Sequence, residues 1–271
     1  MRTGKIHVGV GGWDYDPWRG TFYPDGLPKA KQLEYAAGKL TATEINATYY
    51  KLQSPELFRR WAGMVPDGFR FAIKASRFCT NRKILGEGGE AIGRFCAQGF
   101  TELGDKLGPI LWQFMATKKF DYDDFAGFFD LLPETLGGLP LKHVIEVRNA
   151  TFADPKFVGM CRDRGVTICN SENENYPLIP DITGELVYLR LISASDEIPT
   201  GYDKKDLDVW AGRFQAYAEG RVPGDFTPVD RTGPPEGPRD VYAFVIHEGK
   251  VRAPAAAVEF IKRVDPTFEP A

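Results

Sequence analysis

Eight short apolar runs, spread along the whole chain, limit what this sequence can fold into more than any other feature. They are rich in β-branched and aromatic residues: IHVGVGG (6–12), TEINATY (43–49), FRFAIKA (69–75), PILWQF (109–114), HVIEVR (143–148), VTICNS (166–171), LVYLRLI (186–192) and DVYAFVIH (240–247). Most of the gaps between them are long enough for a helix. Strands alternating with helices build βαβ units and a parallel sheet. Eight such units in 271 residues predict closure into an α/β fold, a (β/α)8 TIM-like barrel, as a single domain over residues 1–271.

Local signals agree with that frame. Ser54-Pro55 and Asp154-Pro155 each read as a helix N-cap followed by proline at the first helical position. Asp203 is placed to cap a helix whose Leu207, Trp210 and Phe214 form an apolar stripe facing the core. Residues 172–185 are too few and too interrupted by proline for a full helix, which predicts an irregular segment between strands six and seven. Residues 220–239 are dense in Pro and Gly. They read as a loop rather than a domain linker, because a barrel without its eighth strand cannot close.

Composition excludes several function classes. The formal net charge is -3, so no global basic field draws nucleic acid to the chain, and such a partner is disfavoured. Cys79, Cys96, Cys161 and Cys169 form no CxxC pair. Reduced, mostly buried thiols and a cytoplasmic location are expected. No leader-like segment and no run of ~18 apolar residues is seen, so no membrane partner is expected. His7 and His143 begin strands, at the end of a barrel opposite its active sites. Only His247 reaches the other end, too few histidines for a multi-metal centre, and no metal is assigned. No phosphate-binding glycine motif follows a strand, and no cofactor can be named. Gly9, Gly11 and Gly12 are expected to serve close backbone approach or a tight turn.

Barrel strands alternate between the lumen and the surrounding helices, and the lumen is ordinarily aliphatic. Here one phase of many strands is polar. Glu44, Asn46 and Thr48 share a face of strand two; Arg70, Ala72 and Lys74 share one of strand three. Gln113 follows on strand four, Glu146 and Arg148 on strand five, Asn170 and Glu172 on strand six, and Tyr188 and Arg190 on strand seven. Most fall in the second half of the strand, at the C-terminal mouth. Unpaired buried charge costs several kcal/mol, so these groups form either a neutralised ion network plugging the barrel or a preorganised polar pocket. The position of active sites in this fold favours the pocket. Lys74 has two readings: a protonated partner of a glutamate, or a desolvated amine of lowered pKa, fit to act as base or nucleophile. Trp13, Trp18, Tyr49, Tyr50 and Tyr202 read either as walls of the site or as packing.

The strings VGVGGWDYDPWRGTFYP (8–24), TEINATYYKL (43–52), GFRFAIKAS (68–76), LGDKLGPILWQF (103–114), EVRN (146–149) and VYLRL (187–191) resemble, in order and spacing, the motifs of the domain-of-unknown-function 72 family, the YecE-like proteins of bacteria and archaea. The resemblance implies a TIM-like barrel and no particular reaction. The positions Glu44, Asn46, Lys74, Gln113, Glu146, Arg148 and Arg190 match the family pattern. Asn149 and Phe152 stand where the family usually has histidine and tryptophan, and Ile192, Ile246 and His247 also depart from it. A kept charged centre with a changed rim implies a different substrate or binding without turnover.

The leading expectation is an enzyme acting at the barrel mouth on a small anionic or polyhydroxyl compound, phosphorylated compounds among them. Glu44, Lys74 and Glu146 are the candidate catalytic groups. Trp13, Asn46, Gln113, Arg148, Arg190, Tyr202 and His247 are the candidate substrate-binding groups. The alternative is a non-catalytic protein that binds nucleic acid or another ligand in the mouth. A third reading is a metal-dependent, endonuclease-like hydrolase with one cation at His247 or Glu172.

Overall fold

Each of the eight runs supplies one strand of a closed parallel barrel in the computed structural model, which describes residues 3–233, 236–246 and 249–269. The strands are β1 (Ile6–Gly11), β2 (Ala42–Ile45), β3 (Arg70–Lys74), β4 (Leu107–Gln113), β5 (His143–Glu146), β6 (Thr167–Glu172), β7 (Leu186–Leu191) and β8 (Asp240–Val245). Each pairs with its sequence neighbours, and β8 returns to β1 through Gly9 opposite Phe244. A small hairpin, Thr135–Leu136 against Leu139–Pro140, sits between β4 and β5 outside the barrel.

The helix starts follow the capping signals. Ser54 accepts a hydrogen bond from the Leu57 amide, Asp154 from Lys156 and Asp203 from Asp206, at the heads of Pro55–Gly63, Pro155–Asp163 and Lys204–Ala218. Each satisfies a backbone donor that the first turn leaves open. No helix forms over residues 173–185, as the proline content requires. The described part of residues 220–239 is also without helix or strand.

Two apolar layers result. The larger lies between strands and helices and is strongly aromatic: the Trp112 ring sits 5.4 Å from Phe95 and 5.6 Å from Phe128. The smaller fills the lumen with Ala42, Ala72, Leu111, Val144, Tyr188 and Phe244. β1 contributes glycine to the lumen for a steric reason. A Cβ on Gly9 would lie 1.8 Å from the Ala42 carbonyl oxygen, so only glycine lets β1 approach β2 this closely. Gly12, with φ +75, makes the turn out of β1.

Two expectations about phase need correction. Asn46 and Thr48 do not continue β2. The backbone turns helical at Asn46 (φ -91, ψ -16), and Ala47–Tyr50 forms one helical turn. Asn170 and Glu172 do not face the lumen. Asn170 donates outward to the Tyr217 hydroxyl at 3.0 Å, while Cys169, on the alternate phase, joins the lumen cluster. Both faces of β6 carry polar side chains, so alternation alone could not say which points inward.

Candidate functional site

Period-two alternation delivers Glu44, Lys74, Gln113, Glu146 and Arg190, five polar side chains from five strands, to the barrel mouth. Arg190 of β7 is the hub. Its Nε and Nη2 donate to the two oxygens of Glu44 on β2, at 3.2 and 3.0 Å, and its Nη1 donates to Glu146 Oε2 on β5 at 2.6 Å. Tyr188 donates its hydroxyl to Glu44 at 2.7 Å and Gln113 its amide to Glu146 at 2.7 Å. Arg148 lies beyond the end of β5 but curls back onto Glu146 Oε1 through Nε and Nη2 at 2.9 and 2.8 Å. Its guanidinium rests 4.9 Å from the Tyr176 ring.

The two carboxylates are fully enclosed, each at 0% exposure. Burial alone would raise the Glu146 pKa, but Arg190, Arg148 and the Gln113 amide outweigh it and bring the value down to about 2. A carboxylate held so firmly ionised takes up no proton near neutrality. Glu44 accepts from Tyr188 and twice from Arg190. The arrangement therefore equips Glu146 to fix the cations around it rather than to exchange protons with a ligand, while Glu44 holds Arg190 and Tyr188 in place.

Lys74 is different. It ends β3 in the lumen with 8% exposure. Among the described residues its ammonium has no ion pair and no hydrogen-bond acceptor; it lies over the Tyr49 ring, 4.4 Å from the centroid. The Thr48 hydroxyl donates to the Lys74 carbonyl at 2.6 Å and holds the backbone. Burial, then the neighbouring Arg190, lower the Lys74 pKa from 10.5 to about 8 against the pull of Glu44 and Glu146. Three cations thus meet two carboxylates, and Lys74 is the surplus charge.

A cavity of about 440 Å³ opens onto this group, lined by Lys74, Arg190, Asn46, Trp18 and Lys250 among others. Asn46 donates to the Glu44 carbonyl at 3.3 Å. Trp18 is fixed by its indole N–H on the Lys250 carbonyl at 2.7 Å, and the Lys250 ammonium rests 4.3 Å from the Tyr15 ring. Beside it, sharing Tyr50, a second cleft carries the exposed rings of Tyr50 and Phe78.

The structure therefore gathers Glu44, Asn46, Lys74, Gln113, Glu146, Arg148 and Arg190 and leaves others apart. Trp13 packs edge-on against Trp61 at 5.1 Å and Phe71 at 6.2 Å, within the layer outside the barrel. Tyr202 is buried and donates to Glu172 at 2.6 Å. Glu172 also accepts from Trp210 Nε1 and from the Ile192 and Ser193 amides, so its oxygens tie the β6 and β7 ends together. His247 lies outside the described residues. No three His, Cys, Asp or Glu side chains come together as a metal site among the described residues. Asn149 is a loop tie, donating to the Ala116 carbonyl at 2.8 Å. Sequence reasoning missed the bond Tyr188 makes, although its spacing from Arg190 put it in phase. It also missed Lys250 and Tyr176, which sit in irregular segments and carry no periodic signal.

The fold and the charged lumen define a TIM-like barrel with a polar C-terminal mouth. The chain belongs to the family described as protein of unknown function DUF72, which matches residues 7–270. A DUF72 family protein of Thermotoga maritima has a similar structure, with a TM-score of 0.72 and 19% identity over 96% of this chain and 99% of that one. One from Enterococcus faecalis has a TM-score of 0.68 and 15% identity, over 96% and 97%. The UPF0759 protein YunF of Bacillus subtilis (strain 168) is 23% identical over 158 residues, 56% of this chain. The chain spans about half the length of that curated relative, 54%. Among the described residues no helix is long and apolar enough to cross a membrane.

Proposed function

We propose that the barrel mouth is the active site of an enzyme acting on a small anionic compound, such as a phosphorylated or carboxylated polyol. The observation that carries this reading is the surplus cation: a buried lysine without an ion-pair partner among the described residues, facing a cavity that Arg190 and Lys250 also line. Three of the five N–H groups of Arg190 are spent on Glu44 and Glu146. The remaining two, with the Lys250 ammonium, suit a phosphate or carboxylate. Asn46 suits a hydroxyl. Glu44 and Glu146 hold the guanidinium groups in place, and Lys74 meets the reacting part of the substrate.

A thermal-shift panel of inorganic phosphate, phosphorylated sugars, carboxylated sugars and their uncharged counterparts tests this. An anion at 100 times its Kd should stabilise the protein by about 2.7 kcal/mol. The shift should shrink in Lys250→Ala and in Lys74→Met. Equal shifts from uncharged sugars, or an undiminished shift in both variants, would sink the reading. The compound that binds should be turned over by the wild type and not by Lys74→Met. Single-stranded oligonucleotides belong in the same panel, because binding through phosphates falls steeply with salt. A tight, salt-sensitive complex would favour the nucleic-acid alternative.

A further inference from the structure

We propose that Lys74 is a covalent catalyst that forms an imine with the carbonyl carbon of an anionic aldehyde or ketone, a 2-oxo acid or a phosphorylated aldose or ketose. This rests on the anion-binding reading of the same mouth and adds the chemistry of the substrate to it.

Three features of the site carry the inference. An imine-forming lysine needs its nitrogen free of a direct carboxylate contact, and among the described residues Lys74 makes no ion pair, its ammonium resting on the Tyr49 ring face while Glu44 and Glu146 are bonded to Arg190. It needs a fixed stem, and Lys74 stands on a barrel strand whose carbonyl at that residue is held by Thr48. It needs a second group to hold the substrate while the carbonyl is attacked, and Arg190 lines the same cavity, locked by its bonds to Glu44 and Glu146. The lumen beneath is closed by Ala72, Leu111 and Phe244, so a substrate can enter only from the mouth. Lysine amines are made nucleophilic by an apolar setting and nearby cations. Both are present here and bring the pKa from 10.5 to about 8. At pH 7 that gives roughly 300-fold more free amine than an unperturbed lysine.

The step balances without any further reactant. The Lys74 ammonium gives one proton to solvent. The nitrogen lone pair then forms the C–N bond while the carbonyl π pair moves onto oxygen. One proton passes from nitrogen to that oxygen, making the carbinolamine. The hydroxyl takes up one proton from solvent and leaves as water, and the nitrogen lone pair closes the C=N bond of the iminium. The iminium withdraws electrons from the adjacent carbon, the activation needed for proton abstraction or carbon–carbon cleavage there.

Borohydride trapping tests the proposal. The full-length protein is mixed with glyoxylate, pyruvate or glyceraldehyde 3-phosphate, reduced with sodium borohydride, and read by intact mass and peptide mapping. One adduct per chain at Lys74 is expected with at least one of these probes. It should form at least 10-fold faster than adducts at surface lysines and be suppressed by excess inorganic phosphate. Lys74→Arg keeps the cation but cannot form the imine, and should give no such adduct while still showing the phosphate thermal shift. If phosphate stabilises the protein but Lys74 stays unmodified, or reacts no faster than surface lysines, the imine is overturned and the anion site stands. If phosphate has no effect and no probe labels Lys74, both fail.

Discussion

Replacing Lys74 by Met removes a charge that the fold holds at a cost, and the cost has a definite pH signature. In the folded chain the amine titrates at about 8 instead of 10.5; this corresponds to about 3 kcal/mol at 1.36 kcal/mol per pH unit. Below pH 8 the ammonium is charged in both folded and unfolded chains, and the penalty is fully present. Between 8 and 10.5 the folded amine is neutral while the unfolded one still binds a proton. The unfolded state then holds more protons, so stability rises with pH. Above 10.5 the penalty is gone. The contact with Tyr49 opposes this by roughly 0.5–2 kcal/mol. The variant should therefore be about 1–3 kcal/mol more stable than the wild type at pH 7, with the gap closing towards pH 10. Urea unfolding of both proteins at pH 7, 8.5 and 10 measures it. Tyrosines and cysteines that ionise in this range are common to both and cancel. A variant less stable at pH 7, or a gap that does not move with pH, would refute the assignment of Lys74 as a desolvated cation without an ion pair among the described residues.

Further perturbations probe the frame around it. Tyr188→Phe removes the 2.7 Å bond to Glu44 and should cost about 1.5–3 kcal/mol, as expected for a lost hydrogen bond to a charged group; chemical denaturation reads it directly. Glu172→Gln sets an amide N–H against a donor whichever way it turns, because Glu172 accepts from Trp210, Tyr202 and two backbone amides. It should lower Tm by on the order of 2–4 °C per kcal/mol lost, with a loss of about 1–3 kcal/mol. Burial and then Arg70 lower the His7 pKa from 6.5 to about 4. Between those values the unfolded histidine binds a proton that the folded one does not, so stability falls as pH drops from 6.5 to 4. His7→Phe preserves the ring stack on Tyr242, 4.8 Å away, and should flatten that part of the acid-unfolding curve; an unchanged curve would show that His7 does not contribute.

The barrel was legible because period-two alternation and helix-length gaps survive in a single sequence. Most of the charged centre was legible for the same reason: Glu44, Lys74, Gln113, Glu146 and Arg190 lie in the second half of their strands, in the phase opposite the bulky aliphatics. What failed was local. TEINATY looks like strand throughout, but Asn46 leaves the sheet and the next four residues coil. β6 gave no signal of phase, since Asn170 and Glu172 on one side are matched by Ser171 on the other. Trp13 and Tyr202 were read towards the mouth from their loops, where no periodicity fixes direction; packing against Trp61 and the bond to Glu172 decide it. Lys250 could not be foreseen, because only the closure of the barrel brings the loop after β8 beside β1.

Arg190 joins three staves of the barrel, β2, β5 and β7, through its own guanidinium. Removing it would leave the enclosed Glu44 without its cation and Glu146 with Arg148 alone, a loss in the range of about 3–5 kcal/mol. That is comparable with the whole stability margin of many domains. The charged hub is therefore not adjustable piece by piece. Asn46, Tyr50, Lys250 and Phe78 carry no such ion pair among the described residues, so substitutions have room to occur along the rim while the centre stays fixed. Libraries built on this scaffold should yield folded protein from rim positions and mostly insoluble protein from the hub.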